Sequence, residues 1–228
     1  DPRKKIITIE DPVEYELSGV NQIPVNPKRG LTFSIGLRAI LRQDPDVILV
    51  GEIRDNETVD IAIRSALTGH LILSTLHTND AISSIGRLVD MGAEPFLVAS
   101  VLEGLLAQRL GRRLCVHCKV RTPLTDETKS RLTSSEIAGF EGGEWKAVGC
   151  DECRKTGFKS RLGFFELLRM NPALRNGITT RLSVTELKEV AGSDFTVMRY
   201  DGMLKAQSGM TTIPEVLRAT QDVDDFEP

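Results

Sequence analysis

Apolar residues in the first half of the chain fall into two alternating rhythms. Residues 5–10 (KIITIE) read as a strand that ends in Glu10 and Asp11 and is stopped by Pro12. Residues 47–50 (VILV) form an unbroken apolar run, β-branched at three of four positions. Asp44-Pro45-Asp46 stands before that run and Gly51-Glu52-Ile53-Arg54 after it, as expected of a strand buried in a parallel sheet. Residues 71–76 predict another short buried strand, which delivers His77 and Thr78. Between these runs the spacing is helical. In residues 31–42, Phe33, Leu37, Ile40 and Leu41 share a face. In residues 57–67, Val59, Ala62, Ile63, Ala66 and Leu67 point inward, with Asp55 or Asn56 as the cap. Residues 80–91 are a further helix. Pro95 suits the first position of one more, reaching about Leu110. Residues 21–30 carry two prolines and a glycine and read as loop. Alternation of strand and helix predicts an α/β fold with a doubly wound, mainly parallel sheet.

Parallel strands point the same way, so the residues after each strand gather at one edge, where open α/β sheets bind ligands. Glu10, Asp11, Glu52 and His77 meet that condition. A carboxylate directly after a buried strand can orient or deprotonate a water beside a γ-phosphate. A neutral imidazole at His77 can hydrogen-bond a phosphate or a catalytic carboxylate. His70 is either a turn residue or a second contact. Arg38 and Arg42, four apart, project together. They form a solvated helix face or, in an oligomer, reach a neighbour's phosphate.

The texture changes at Gly111. Residues 112–160 have short apolar pieces, many turns and all four cysteines, as two C-x2-C pairs: Cys115 with Cys118 and Cys150 with Cys153. About 31 residues separate the pairs. This spacing favours one tetrahedral zinc ion over a redox pair or unrelated thiols. Gly149 and Gly157 give the backbone freedom for such knuckles. Four thiolates leave no place for a substrate, so the ion is structural. His117, inside the first pair, is a bystander. One Trp and few other aromatics argue against a nucleic-acid finger. Residues 163–168 resume apolar structure. Helices are expected over 172–182, 184–191, 197–208 and 213–219, followed by an acidic, disordered tail from Asp222.

The chain has 228 residues, 40% of them apolar, and a net charge of -3. No global charge favours nucleic acid or an anionic membrane. No apolar run approaches the roughly 20 residues of a membrane span. The opening Asp-Pro-Arg-Lys-Lys has no apolar core of a signal peptide. Paired C-x2-C motifs suit a cytosolic protein rather than a secreted disulfide framework.

Together, ITIEDPVEYE, LTFSIGLRAILRQDPDVILVGEIRD, TGHLILSTLHTNDA and the two C-x2-C pairs resemble the hexameric secretion ATPases of type II secretion and type IV pilus assembly. The resemblance covers nearly the whole chain. The tetracysteine module marks the secretion and pilus-extension branch; the retraction ATPases resemble the rest but lack it. The resemblance implies a RecA-like core over residues 1–111, a zinc module over 112–160, a helical domain over 161–221 and a tail over 222–228. It implies an Asp box at Glu10, Asp11 and Glu14, near magnesium and the γ-phosphate. It makes Glu52 the Walker B glutamate that polarises water, and His70 and His77 the His-box histidines. Arg38 and Arg42 would serve the neighbouring subunit's nucleotide. ATP, Mg2+ and structural Zn2+ are the implied cofactors. A homohexameric ring and an inner-membrane platform protein are the implied partners, at the cytoplasmic face of the membrane. Gly51 stands where many P-loop enzymes have a magnesium-organising aspartate. No G-x-x-x-x-G-K-[ST] phosphate loop occurs in the sequence. The expectation is therefore a portion of a longer ATPase, inactive by itself. The alternative is a non-catalytic, zinc-stabilised interaction or oligomerisation module.

Overall fold

A computed structural model describes residues 3–220. The expected acidic tail lies outside the described residues. Two compact units divide the described residues: 3–78, 82–104 and 169–192 form the first, and 79–81, 105–168 and 193–220 the second.

The first unit is built on a four-stranded sheet. Its strands are β1 (Ile6–Glu10), β2 (Asn21–Pro24), β3 (Val47–Val50) and β4 (Leu71–Ser74), in the order β2-β1-β3-β4, all parallel. Helix α1 (Phe33–Ile40) starts at Thr32, whose side chain accepts from the Ile35 N–H, and ends in a 3-10 turn over Leu41–Gln43. Helix α2 (Asn56–Leu67) is capped by Asp55, whose carboxylate accepts from the Thr58 N–H at 2.8 Å. Helices α3 (Ser83–Asp90) and α4 (Pro95–Val101) follow. Asp46 ties the amino ends of β1 and β3 together: its carboxylate accepts from the Lys5 N–H at 2.7 Å and pairs with Lys4 at 3.3 Å.

The core packs one face of this sheet. Ile7, Ile9, Ile48 and Val50 share a parity, and all join Leu37 and Ile40 of α1 and Ile61 and Ala62 of α2 in one buried cluster. The two helices therefore cover the same face, and the expected double winding is not found among the described residues. Handedness explains this. The steps β2-α1-β3 and β3-α2-β4 run in the same direction across the sheet, and right-handed crossovers in one direction put their helices on one side. Strand β4 is an edge strand. Its Leu71 and Leu73 are 51% and 48% exposed, which corrects the expectation of a buried strand. A four-residue apolar run does not distinguish a central strand from an edge.

Two further expectations are corrected. Residues 21–24 are not loop but β2, an edge strand where Pro24, at the strand's end, faces no missing ladder partner. The helix begun at Pro95 stops at Val101, because Leu102 turns extended and Gly104 opens β5 (Gly104–Leu114). Leu-Leu-Ala-Gln-Arg-Leu favours helix locally, but a distant strand pairs with it instead.

In the second unit, β6 (Val120–Thr122), the short helices α5 (Asp126–Ser130) and α6 (Ser134–Ala138), and β7 (Glu144–Lys146) come next, with β6 and β7 antiparallel. Strand β8 (Phe158–Arg169) runs beside β5. Helices α7 (Pro172–Thr179) and α8 (Val184–Ala191) return to the first unit, where Arg175 pairs with Glu103. Strand β9 (Phe195–Thr196) joins β8, and α9 (Met198–Gln207) and α10 (Ile213–Thr220) complete the second unit. All four helices expected after residue 170 form. They divide between the two units, so they make no helical unit of their own.

The second core gathers Phe140, Phe164, Met198, Met203, Ile213 and Val216. Glu215, at the start of α10, is buried, yet it accepts from the Arg112 N–H at 2.9 Å and pairs with the Arg112 and Arg218 guanidiniums at 2.6 and 2.9 Å. Burial alone would raise this carboxyl; the bonds from Arg112 and Arg218 outweigh it and hold it down to about 2. A depressed carboxyl contributes its stability above the ordinary carboxylate range and loses it as pH falls through the folded value. Glu215→Gln should therefore cost about 2 kcal/mol at neutral pH, the scale of a charged hydrogen bond. It should also flatten the fall in melting temperature between about pH 4.5 and 2. Calorimetric melts over that range check both.

Candidate functional site

The parallel register sets Ile9 beside Val50 and Val50 beside Ser74, so the next residues of three strands emerge level. There the chains bond again. The Gly51 N–H donates to the Ile9 carbonyl at 2.8 Å, the Ile53 N–H to the Thr75 carbonyl at 3.1 Å, and the Thr75 hydroxyl to the Gly51 carbonyl at 2.6 Å. Glycine is needed at position 51 because β1 comes close: an added Cβ would lie 3.2 Å from the Ile9 carbonyl oxygen and 3.3 Å from the Glu10 Cα.

This edge carries Glu10, Asp11, Glu52 and His77, as the strand pattern predicts. Glu10 is fixed by neutral donors, the Thr8 hydroxyl at 2.5 Å and the Gln22 amide at 2.9 Å. Glu52 is fixed by a guanidinium and an imidazole. Its side chain is 12% exposed and accepts from Arg54 Nε at 2.5 Å, from Arg54 Nη2, and from His77 Nε2 at 3.1 Å. The Arg54 hydrogen bonds hold the Glu52 carboxyl below its usual range, and His77 adds to this against the opposing effect of partial burial. Asp11 lies close enough to favour the charged form of Arg54.

The other predicted residues stand apart. Glu14 is exposed on the loop after β1. Arg38 pairs with Glu57 at 3.0 Å, from α1 to α2. Arg42 lies beyond the end of α1, exposed in the 3-10 turn. His70 precedes β4, so it sits at the opposite end of that strand from His77; its Nδ1 lies 3.0 Å from the Ser65 carbonyl and 3.2 Å from the Thr68 hydroxyl. Sequence reasoning missed Arg54 and Gln22. Arg54 had a readable signal, since it is two residues after Glu52 in an extended segment and so on the same side. Gln22 had none, because its strand went unrecognised. Its amide also bonds the Tyr15 carbonyl and accepts from the Leu17 N–H, shaping the loop after Asp11.

A second site lies in the second unit. The Sγ atoms of Cys115, Cys118, Cys150 and Cys153 all lie within 4.8 Å of one another. Three of the separations are 3.8, 3.8 and 3.7 Å. Zinc–sulfur bonds of about 2.3 Å in a tetrahedron give edges of about 3.8 Å, so the four thiols fit such an ion. Gly149 and Gly157 take φ of +111° and +76° and send their N–H groups to Cys118 Sγ and Cys153 Sγ at 3.3 and 3.1 Å. Burial disfavours a thiolate at Cys153, but the N–H groups of Cys150 and Gly157 bring its thiol down to about 6. His117 is exposed and outside the cluster.

A family model described as Type II/IV secretion system protein matches residues 1–218. The chain belongs to this family. Among curated members, the type IV pilus assembly ATPase PilB of Thermus thermophilus is 52% identical, over 96% of this chain and 25% of that protein. The type II secretion system protein HxcR of Pseudomonas aeruginosa is 49% identical, over 95% of this chain and 42% of that one. The chain thus spans less than half the length of these relatives. A structure of the pilus retraction motor PilT with bound ADP superposes with a TM-score of 0.68 at 30% identity, over 98% of this chain and 54% of that one. The Legionella pneumophila ATPase DotB shares the fold, with a TM-score of 0.63 at 22% identity. Membership in this family confirms the resemblance read from the strand-end motifs.

The level strand ends depend on the close approach at Gly51. Gly51→Ala should push β1 and β3 apart at this edge and cost about 1–3 kcal/mol, as overpacking against backbone does. Chemical denaturation of the two forms measures it; equal midpoints would show that the edge tolerates the methyl.

Proposed function

We propose that the chain is motor machinery of an ATPase that powers type II secretion or type IV pilus assembly. The observation that carries this reading is Glu52, a nearly buried carboxylate beside His77 at the carboxyl edge of a parallel sheet, in a secretion-family chain. In this reading Glu52 accepts a proton from the attacking water, and His77 orients the Glu52 carboxylate. Glu10 and Asp11 supply acidic groups for a magnesium ion, whose charge would offset that of the phosphates, and Glu14 extends that acidic loop. His70, at the far end of β4, is assigned a nucleotide contact by family resemblance alone. Arg38 and Arg42 lie off this edge, which suits residues that serve a neighbouring subunit in a homohexameric ring. No phosphate loop occurs in the 228 residues, so the phosphate cradle and hydrolysis belong to the longer protein. The RecA-like motor would work at the cytoplasmic face of the inner membrane, against a platform protein. Among the described residues no helix is long and apolar enough to cross a membrane.

The test uses the longer protein with its phosphate loop. Glu52→Gln should keep ATP binding and lose turnover by roughly a hundredfold or more, the scale of losing a general base. Arg38→Ala should also lose turnover. Mixing the two variants should restore part of it, because a mixed ring contains interfaces with both groups intact. A Glu52→Gln protein running at full speed would remove Glu52 from the mechanism, and an unsubstituted longer protein without turnover would favour the non-catalytic module.

We further assign zinc to the four cysteines, as a structural ion. Purified protein should carry about one zinc per chain. Cys150→Ser should lose it and lower the melting temperature of the second unit, read by metal analysis and calorimetry. Metal-free protein of unchanged stability would rule the site out.

A further inference from the structure

Arg54 occupies most of the lone pairs of the proposed general base. Its planar fork takes both oxygens of Glu52, Nη2 on Oε1 and Nε on Oε2, while His77 shares Oε2. A base must offer a free lone pair toward the water it deprotonates. A carboxylate with a guanidinium across both oxygens offers little. The two partners differ in freedom: the Glu52 side chain is 12% exposed, the Arg54 side chain 62%. Glu52 is also the one hydrogen-bonding partner of the Arg54 side chain among the described residues. The acid is thus packed in place, and the arginine reaches it from solvent with donors to spare.

Such a fork fits a phosphate as well as a carboxylate. A terminal phosphate carries more charge than Glu52, and the proposed function brings one to this edge. The geometry points to Arg54 as a positioning residue that latches Glu52. It closes on the carboxylate in the absence of ATP and passes to the terminal phosphate when ATP arrives. That exchange leaves Glu52 with His77 alone and a lone pair open to water. Coupling of this kind ties release of the base to the presence of a γ-phosphate, so ADP leaves the latch closed. The inference rests on the ATPase reading above and adds to it a contact that distinguishes ATP from ADP.

The exchange has a signature in binding that an ion pair of structural role lacks. In the longer protein with its phosphate loop, calorimetry would compare a non-hydrolysable ATP analogue with ADP. Wild type, Arg54→Gln, Glu52→Gln and the double variant are needed. Arg54→Gln should weaken the analogue by about tenfold, one good charged contact, and leave ADP unchanged. Glu52→Gln should tighten the analogue several-fold, because the fork no longer has to be pulled from a carboxylate. That gain should vanish in the double variant. If the gain persists there, it comes from removing charge repulsion between Glu52 and phosphate, and the latch is wrong. Equal analogue affinity in wild type and Arg54→Gln overturns it as well. So does a parallel loss of ADP binding, which would make Arg54 a general support of the site. Failure of the analogue to bind wild type at all would instead sink the ATPase reading.

Discussion

Register between parallel strands is the constraint on which the candidate site depends. Ile9, Val50 and Ser74 lie side by side, so the chain leaves three strands at one level, and Glu10, Gly51 and Thr75 become neighbours. Slipping β3 by one residue would turn Ile48 and Val50 out of the core and carry Glu52 to the other face. The register is held at both ends. Asp46 bonds the Lys5 N–H at the amino end, and the Gly51–Ile9 and Thr75–Gly51 bonds close the carboxyl end. Burial of the isoleucines against α1 and α2 holds the middle.

At that edge the two glutamates differ in what surrounds them. Glu10 is held by a hydroxyl and an amide, and Glu52 by a guanidinium and an imidazole. Distinct environments give chemically similar groups distinct tasks. Neutral donors fix the Glu10 carboxylate in place without a partner that competes with a metal ion for its charge. The cationic Arg54 at Glu52 stabilises its anion and also occupies it, so its readiness depends on what else is bound nearby.

The second unit follows another logic. Residues 112–160 contribute little apolar bulk, and small segments of this kind depend on staples. The cysteine cluster supplies one, and its flanks extend the tie. The Leu114 N–H donates to the Met210 carbonyl at 2.8 Å, and Lys119 Nζ donates to the Gly209 carbonyl at 2.7 Å. The indole N–H of Trp145 reaches the Gln207 carbonyl at 3.3 Å. The turn between α9 and α10 is thereby bonded from both sides of the first cysteine pair.

Much of this was legible along the chain. Each of β1, β3, α1 and α2 is a local pattern: an apolar run for a strand, one apolar face and a capping Asp55 for a helix. The strand-end positions of Glu10, Glu52 and His77 followed from those runs, and the metal-ligand spacing of the cysteines from counting. Such features are encoded by neighbours in sequence, so sequence alone determined them. What depends on a distant partner did not show. Residues 104–110 look helical until β8, more than forty residues on, pairs with them. Residues 21–24 look like loop until β1 offers an edge. Arg54 was visible, but only the folded chain put its fork across both oxygens of Glu52. Tertiary structure decided these because pairing, burial and charge contacts act across space, between residues whose separation along the chain carries no information about them.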